Sequence, residues 1–136
     1  MKNVKEFVES MVKIDYIESE HVFGHYPFQL VVETSDGKFE FNALALGGDV
    51  LSCYKKVRTY MRGNAKKIFM SGDFPGVDDI KNDFVCVFSL IRQDDETYNI
   101  EIYAIPYNTE TGEKYEEIRD GVVLTKILTD FKKIVL

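Results

Sequence analysis

The chain has 136 residues, of which 45% are hydrophobic and 13% aromatic, enough for one domain with a substantial core. Its formal net charge of -6 argues against general binding to DNA or RNA, because phosphate contacts require a positive surface. No secretory segment and no apolar run of about 18 residues is seen, so we expect no membrane span. The two cysteines, Cys53 and Cys86, lack the spacing of a metal or redox pair. We therefore expect reduced thiols and a cytoplasmic location.

Apolar periodicity predicts the first helix at residues 4–13, where apolar side chains recur at intervals of three and four. A hairpin follows, with alternating strands at 28–33 and 39–45 joined by a turn that contains Asp36-Gly37. The second helix is predicted at 50–62, with Asp49 as its N-cap.

The second half of the chain is predicted to be mostly strands. A short strand at 66–71 leads into an acidic loop at 72–83, and the apolar run at 84–91 is typical of a strand buried on both faces. Alternation predicts a further strand at 98–105, and a short edge strand is possible at 114–118. A last amphipathic helix spans 122–135.

These elements predict a single α+β domain over residues 1–136, in the order α-β-β-α-β-β-β-(β)-α. Hairpin connections favour a central, mainly antiparallel sheet of five or six strands, covered by three amphipathic helices. The order of elements is similar to the profilin-like and roadblock-like arrangement. This similarity concerns element order alone, and it implies no function.

The most informative pattern is a reversal of charge within 30 residues. Residues 55–67 contain six basic side chains and no acid: Lys55, Lys56, Arg58, Arg62, Lys66 and Lys67. Residues 73–83 contain four aspartates opposed by Lys81: Asp73, Asp78, Asp79 and Asp83. On the predicted helix, the basic side chains lie opposite the apolar stripe. Concentrated charge in an acidic protein indicates a binding surface, so Lys55, Lys56, Arg58 and Arg62 are candidate partner-binding residues.

The acidic loop has a structural and a functional interpretation. Asp, Gly and Pro are turn formers, so a solvated connection explains them. Its length of 12 residues is nevertheless typical of functional loops, and Phe74 would anchor a partner if it were exposed.

Two tyrosines, Tyr103 and Tyr107, share one face of their strand and are further candidates for partner binding, unless a helix covers that face.

No catalytic, metal-binding or cofactor-binding motif is present. His21 and His25 lack the additional ligands of a zinc site, and the acidic loop lacks the spacing of a calcium loop. The Gly47-Gly48-Asp49 segment favours a helix cap over a phosphate-binding loop. Cys53 and Cys86 fall in apolar segments, where a thiol is unreactive.

Two functional hypotheses follow. The first is a non-enzymatic protein-protein interaction module, such as an inhibitor, an immunity-type protein or a chaperone-like protein, that binds another protein or forms a homodimer. The alternative is a binder or hydrolase of a small anionic ligand such as a nucleotide. In that case the basic face of helix 50–62 would hold the phosphate, and the acidic loop 72–83 would hold a divalent ion or activate water.

Overall fold

The computed structural model describes residues 28–43, 50–77 and 79–136. Predictions for the helix at 4–13, the two histidines, Asp49 and Asp78 lie outside these residues. The described elements are β1 (Gln29–Thr34), β2 (Phe39–Ala43), α1 (Val50–Arg62), β3 (Ala65–Phe74), β4 (Phe84–Arg92), β5 (Tyr98–Pro106) and α2 (Val122–Val135).

The strands form one antiparallel sheet in the order β2-β1-β3-β4-β5. Strands β2 and β3 flank β1, so the connection that contains α1 crosses over β1. Strands β3, β4 and β5 then follow one another as a meander. Helices α1 and α2 contact each other and contribute to the same core cluster, so they cover one face of the sheet together.

The core between the helices and the sheet is built on strand alternation. Every second residue of β3 and β4 faces the helices, as Ile68, Met70, Cys86 and Phe88 do. At the centre, the Tyr54 ring lies edge-on to Phe88 at 5.7 Å and to Phe131 at 4.9 Å between ring centroids. Aromatic pairs of this geometry contribute about 0.5–1.5 kcal/mol each beyond their burial. This cluster therefore fixes α1 and α2 against β4.

The opposite face of the sheet is also apolar and buried. It carries a second cluster of seven residues: Val31, Phe69, Val85, Val87, Tyr103, Ile105 and Tyr107. All residues from Phe84 to Leu90 are buried, as the continuous apolar run of β4 predicts.

The predicted α+β class and antiparallel sheet are confirmed, whereas the predicted five or six strands and three helices are not confirmed as a set. The helix at 4–13 is outside the described residues. The possible edge strand at 114–118 forms isolated bridges, Ala104 with Ile118 and Tyr107 with Lys114.

Strand β3 extends three residues beyond the predicted end at Ser71. Gly72, Asp73 and Phe74 continue its pairing, with Phe74 opposite Phe84 of β4. Gly72 fits this place because a Cβ there would lie 2.1 Å from the Phe28 ring. The acidic connection is consequently shorter than predicted, running from 75 to 83.

Candidate functional site

Helix α1 presents its basic residues away from the sheet. Its apolar stripe is anchored by Cys53, Tyr54 and Val57, which are buried. Between these positions the helix carries Lys55 and Arg62, which are exposed, and Lys56 and Arg58, which are half-buried. No acidic residue interrupts the helix. The predicted basic face is thus a helical surface at the outside of the fold.

The end of α2 extends this surface. The Arg58 guanidinium donates a hydrogen bond of 3.4 Å to the Ile134 carbonyl oxygen, in the last turn of α2. Lys132 and Lys133 are exposed in that same turn. Cations stabilise this end of a helix because its carbonyl groups carry partial negative charge. We define the basic helix surface as Lys55, Lys56, Arg58, Arg62, Lys132 and Lys133.

Charge is strongly segregated between the helices and the rest of the chain. Seven of the 17 basic residues and one of the 23 acidic residues lie in α1 and α2. The remainder has ten basic and 22 acidic residues, a formal charge of -12, against +6 for the two helices. Lys67 forms a salt bridge with Glu33 at 3.8 Å. The four cations of α1 form no salt bridge with any described residue.

Three acidic residues of the 73–83 segment, Asp73, Asp79 and Asp83, have structural partners. Both carboxylate oxygens of Asp79 accept backbone N–H groups at the start of α2, from Val122 and Val123, at 3.1 Å each. Asp79 therefore caps a helix that begins 43 residues later in the chain. The N–H groups of the first turn have no partner within the helix, and the Asp79 carboxylate supplies one for two of them.

Two further aspartates hold the ends of the strands. The Asp83 carboxylate accepts the backbone N–H of Gly76 at 3.0 Å, which closes the connection on itself. The Tyr107 hydroxyl donates to the Asp73 carboxylate at 2.5 Å, which joins β3 to the residue after β5. The turn-forming interpretation of this segment accounts for the Asp83 contact, whereas the Asp73 contact links β3 to a distant part of the chain. Within the described ranges, no group of three or more His, Cys, Asp or Glu side chains is arranged to hold a metal ion.

The two charged regions lie at opposite ends of α2. Asp79 contacts the N-H of Val122, and Arg58 contacts the carbonyl of Ile134. A rise of 1.5 Å per residue places these two backbone positions about 18 Å apart. The small-ligand hypothesis requires the basic helix face and the acidic loop to line one cleft. At this separation, Arg58 and Asp79 do not line one cleft.

Phe74 is half-buried and closes one end of the core. Its ring stacks on Phe84 with 5.7 Å between centroids, and it meets Phe28 edge-on at 5.9 Å. A groove of about 180 Å³ lies beside it, where Val77 and Val122 are 49% and 69% exposed. Phe74 thus packs the end of β3 against the core, and only part of its ring is exposed to solvent.

Tyr103 and Tyr107 belong to the buried second face of the sheet, at 4% and 1% exposure. The Arg119 guanidinium covers the Tyr103 ring at 4.7 Å from its centroid. Burial is the main cause that raises the pKa of Tyr103 above its ordinary value. Neither ring is open to a partner in this arrangement, which agrees with the alternative that this face is covered.

Arg92 is a structural residue that the sequence pattern did not indicate. Its guanidinium donates to the carbonyl oxygens of Ala65 at 2.8 Å, Met61 at 3.0 Å and Gly63 at 3.1 Å, and it lies 4.7 Å from the Tyr98 ring centroid. It therefore closes the C-terminal end of α1 against the sheet. The sequence signal, a lone arginine at a strand end, is too common to be specific.

Comparison of the chain with protein-family models, with curated proteins and with solved structures gave no match in any of the three. The similarity to the profilin-like element order therefore has no matching structure to support it. In the part of the chain that the structure describes, no helix has the length and apolar character to cross a membrane.

Proposed function

We propose that this protein is a non-enzymatic interaction module that binds an acidic protein partner through the basic helix surface. The observation that supports this proposal is the segregation of charge, +6 on two adjacent helices and -12 on the remainder. Solubility alone does not require the charges to be separated in this way, since a surface with interspersed charges of both signs is equally soluble. Opposite potentials on two proteins orient them and accelerate their association.

A protein partner fits this surface better than a nucleotide does. Small ligands bind in concave sites that enclose most of their surface. The grooves beside Phe74, Tyr107 and Ile100 are lined by none of the six cations of the basic helix surface. A long nucleic acid would in addition face the repulsion of the acidic remainder.

The partner in this proposal is a protein with an acidic patch. A second copy of the chain is one such protein. The proposal includes inhibitor, immunity-type and chaperone-like roles. A cytoplasmic location is part of the proposal, and it is supported by the fact that Cys53 and Cys86 are free thiols.

Charge reversal tests the proposal against a matched control. The test variant is Lys55→Glu/Lys56→Glu/Arg62→Glu. The control variant is Lys38→Glu/Lys81→Glu/Lys114→Glu, in which three exposed lysines elsewhere undergo the same change of net charge. The probe is fluorescein-labelled poly-L-glutamate, measured by fluorescence anisotropy at low salt, where the Debye length is about 30 Å at 0.01 M. Sedimentation velocity of each variant reports self-association.

We expect the test variant to lose at least tenfold in affinity for poly-L-glutamate, while the control variant loses much less and both still unfold cooperatively on heating. Equal losses in the two variants would show a bulk charge effect and would contradict a specific surface. Thermal-shift measurements with ATP and Mg²⁺ test the alternative function, because a ligand that binds the folded state must stabilise it.

A further inference from the structure

The outer edge of β5 is half occupied by the chain itself. Ala104 exchanges two hydrogen bonds with Ile118, each of 2.8 Å, and the Pro106 carbonyl accepts the Tyr115 N–H at 2.8 Å. The segment 114–118 therefore pairs with the C-terminal half of β5 as an added strand would. Past Ile118, the chain leaves the sheet and begins α2 at Val122.

The N-terminal half of the same edge is open. In an antiparallel ladder, alternate residues turn their N–H and C=O groups to opposite sides. The backbone N–H and C=O groups of Ala104 point away from β4, because they bond to Ile118. The same groups of Ile102 and Ile100, two and four residues earlier, therefore point away from β4 too. Across the described ranges, their outward backbone groups have no hydrogen-bond partner. An open strand edge of this kind is a template for another strand.

A groove lies between this open edge and α2. Its volume is about 340 Å³. The apolar part of its lining comes from Ile100 and Ile102 of β5 and from Leu124 and Leu128 of α2. Side chains of an added strand alternate between the two faces of the sheet, so every second one would enter this groove.

The other face of the open edge carries one acidic side chain. Glu101 is exposed there, between the two isoleucines. Arg119, the nearby cation in the groove lining, is already engaged by Glu117 at 3.2 Å and by the Tyr103 ring. A basic side chain directly across from Glu101 would form a favourable cross-strand pair.

We propose that the open edge of β5, residues 98–102, binds an extended peptide segment of a partner protein as an additional strand. The segment has an apolar-basic-apolar pattern, with its apolar side chains in the groove against α2 and its basic side chain beside Glu101. Main-chain hydrogen bonds to Ile100 and Ile102 supply affinity, and the groove supplies specificity. This site is distinct from the basic helix surface and does not depend on it.

Amide exchange measured by NMR tests the proposal directly. The probe is the capped peptide acetyl-Thr-Val-Lys-Val-Lys-Val-Thr-amide. At a peptide concentration of ten times its Kd, exchange of the Ile100 and Ile102 amides is expected to slow about tenfold, because bound protein closes these sites. The amides of Asn99 and Glu101 already face β4 and are expected to change little. The analogue with Glu in place of both Lys should bind about two- to fivefold more weakly.

Two controls separate strand addition from other modes of binding. N-methylation of the peptide on the N–H groups that face β5 should abolish binding, whereas methylation of the alternate set should not. The variant Ile100→Pro removes one outward N–H and leaves the ladder with β4, so it should bind the peptide at least tenfold more weakly than Ile100→Val.

The outcomes that overturn the proposal are distinct. Absence of protection at Ile100 and Ile102 up to about 1 mM peptide would contradict it, as would equal binding of the two methylated peptides. Protection of these amides in the free protein that rises with protein concentration would assign the edge to a second copy and would also overturn it.

Discussion

Asp79 provides the sharpest test of how the acidic segment is used. Its carboxylate accepts the N–H groups of Val122 and Val123 at 3.1 Å, so it caps α2 from across the fold. Gly121 leaves room for it, because a Cβ at that residue would lie 2.1 Å from the Asp79 carboxylate oxygen. We expect Asp79→Ala to destabilise the protein, since both N–H groups lose their partner.

The magnitude follows from capping and from the helix dipole. Loss of a capping side chain costs about 0.5–2 kcal/mol, and loss of a negative charge at a helix N-terminus costs about 0.3–1 kcal/mol at an exposed position. These contributions overlap, so we expect a decrease of about 1–2 kcal/mol in the free energy of unfolding. For a domain of this size the midpoint of thermal unfolding should fall by about 3–7 °C.

Urea unfolding followed by far-UV circular dichroism measures this change, because the chain has no Trp for fluorescence. Asp79→Asn should be intermediate, since an amide retains one acceptor oxygen of the two. Asp120→Ala removes an exposed charge beside the same helix end and should change stability by less than about 0.5 kcal/mol. Equal stability of Asp79→Ala and Asp120→Ala would refute the capping role and reopen a functional one.

Two other predictions concern the core and its edge. Arg92→Ala should lower the free energy of unfolding by about 2–3 kcal/mol, because it removes charge-assisted hydrogen bonds to the end of α1. Arg119→Ala, which loses a ring contact at an exposed position, should lower it by about 0.5–1 kcal/mol; urea unfolding of both variants checks the difference. Burial raises the pKa of the Cys86 thiol, and Cys53 is buried too, so Ellman's reagent at about pH 8 should detect no thiol in the native protein and both after denaturation. A rapidly reacting thiol in the native protein would contradict the burial of that cysteine.

The local patterns of the sequence predicted the described elements well because their causes are local. The apolar stripes of α1 and α2 and the alternation of β5 are set by neighbours three, four or two positions away. The end of β3 was predicted too early. Asp73 and Phe74 resemble loop residues in isolation, and they become strand residues through pairing with Val85 and Phe84 of β4. Such pairing partners are not encoded within a short window.

The candidate site was predictable in part. The basic arc of α1 follows from helical periodicity. The roles of Asp79 and Asp73 do not, because their partners lie 43 and 34 residues away. The burial of Tyr103 was likewise beyond local pattern, since alternation identifies the face on which a side chain lies and not what covers that face.

The positions of the charged residues along α1 and α2 indicate which of them partner binding depends on. Asp79 lies at the N-terminus of α2 and Arg58 at its C-terminus, so each complements the helix dipole and has a structural reason to be charged. Arg62 lies in the last turn of α1 and has the same reason. The dipole effect fades beyond one turn from a helix end, and Lys55 and Lys56 lie in the middle of α1, a helix that contains no acidic residue. Neither lysine forms an ion pair with a described residue, so partner binding should depend on them more than on Arg58, whose loss should first reduce stability.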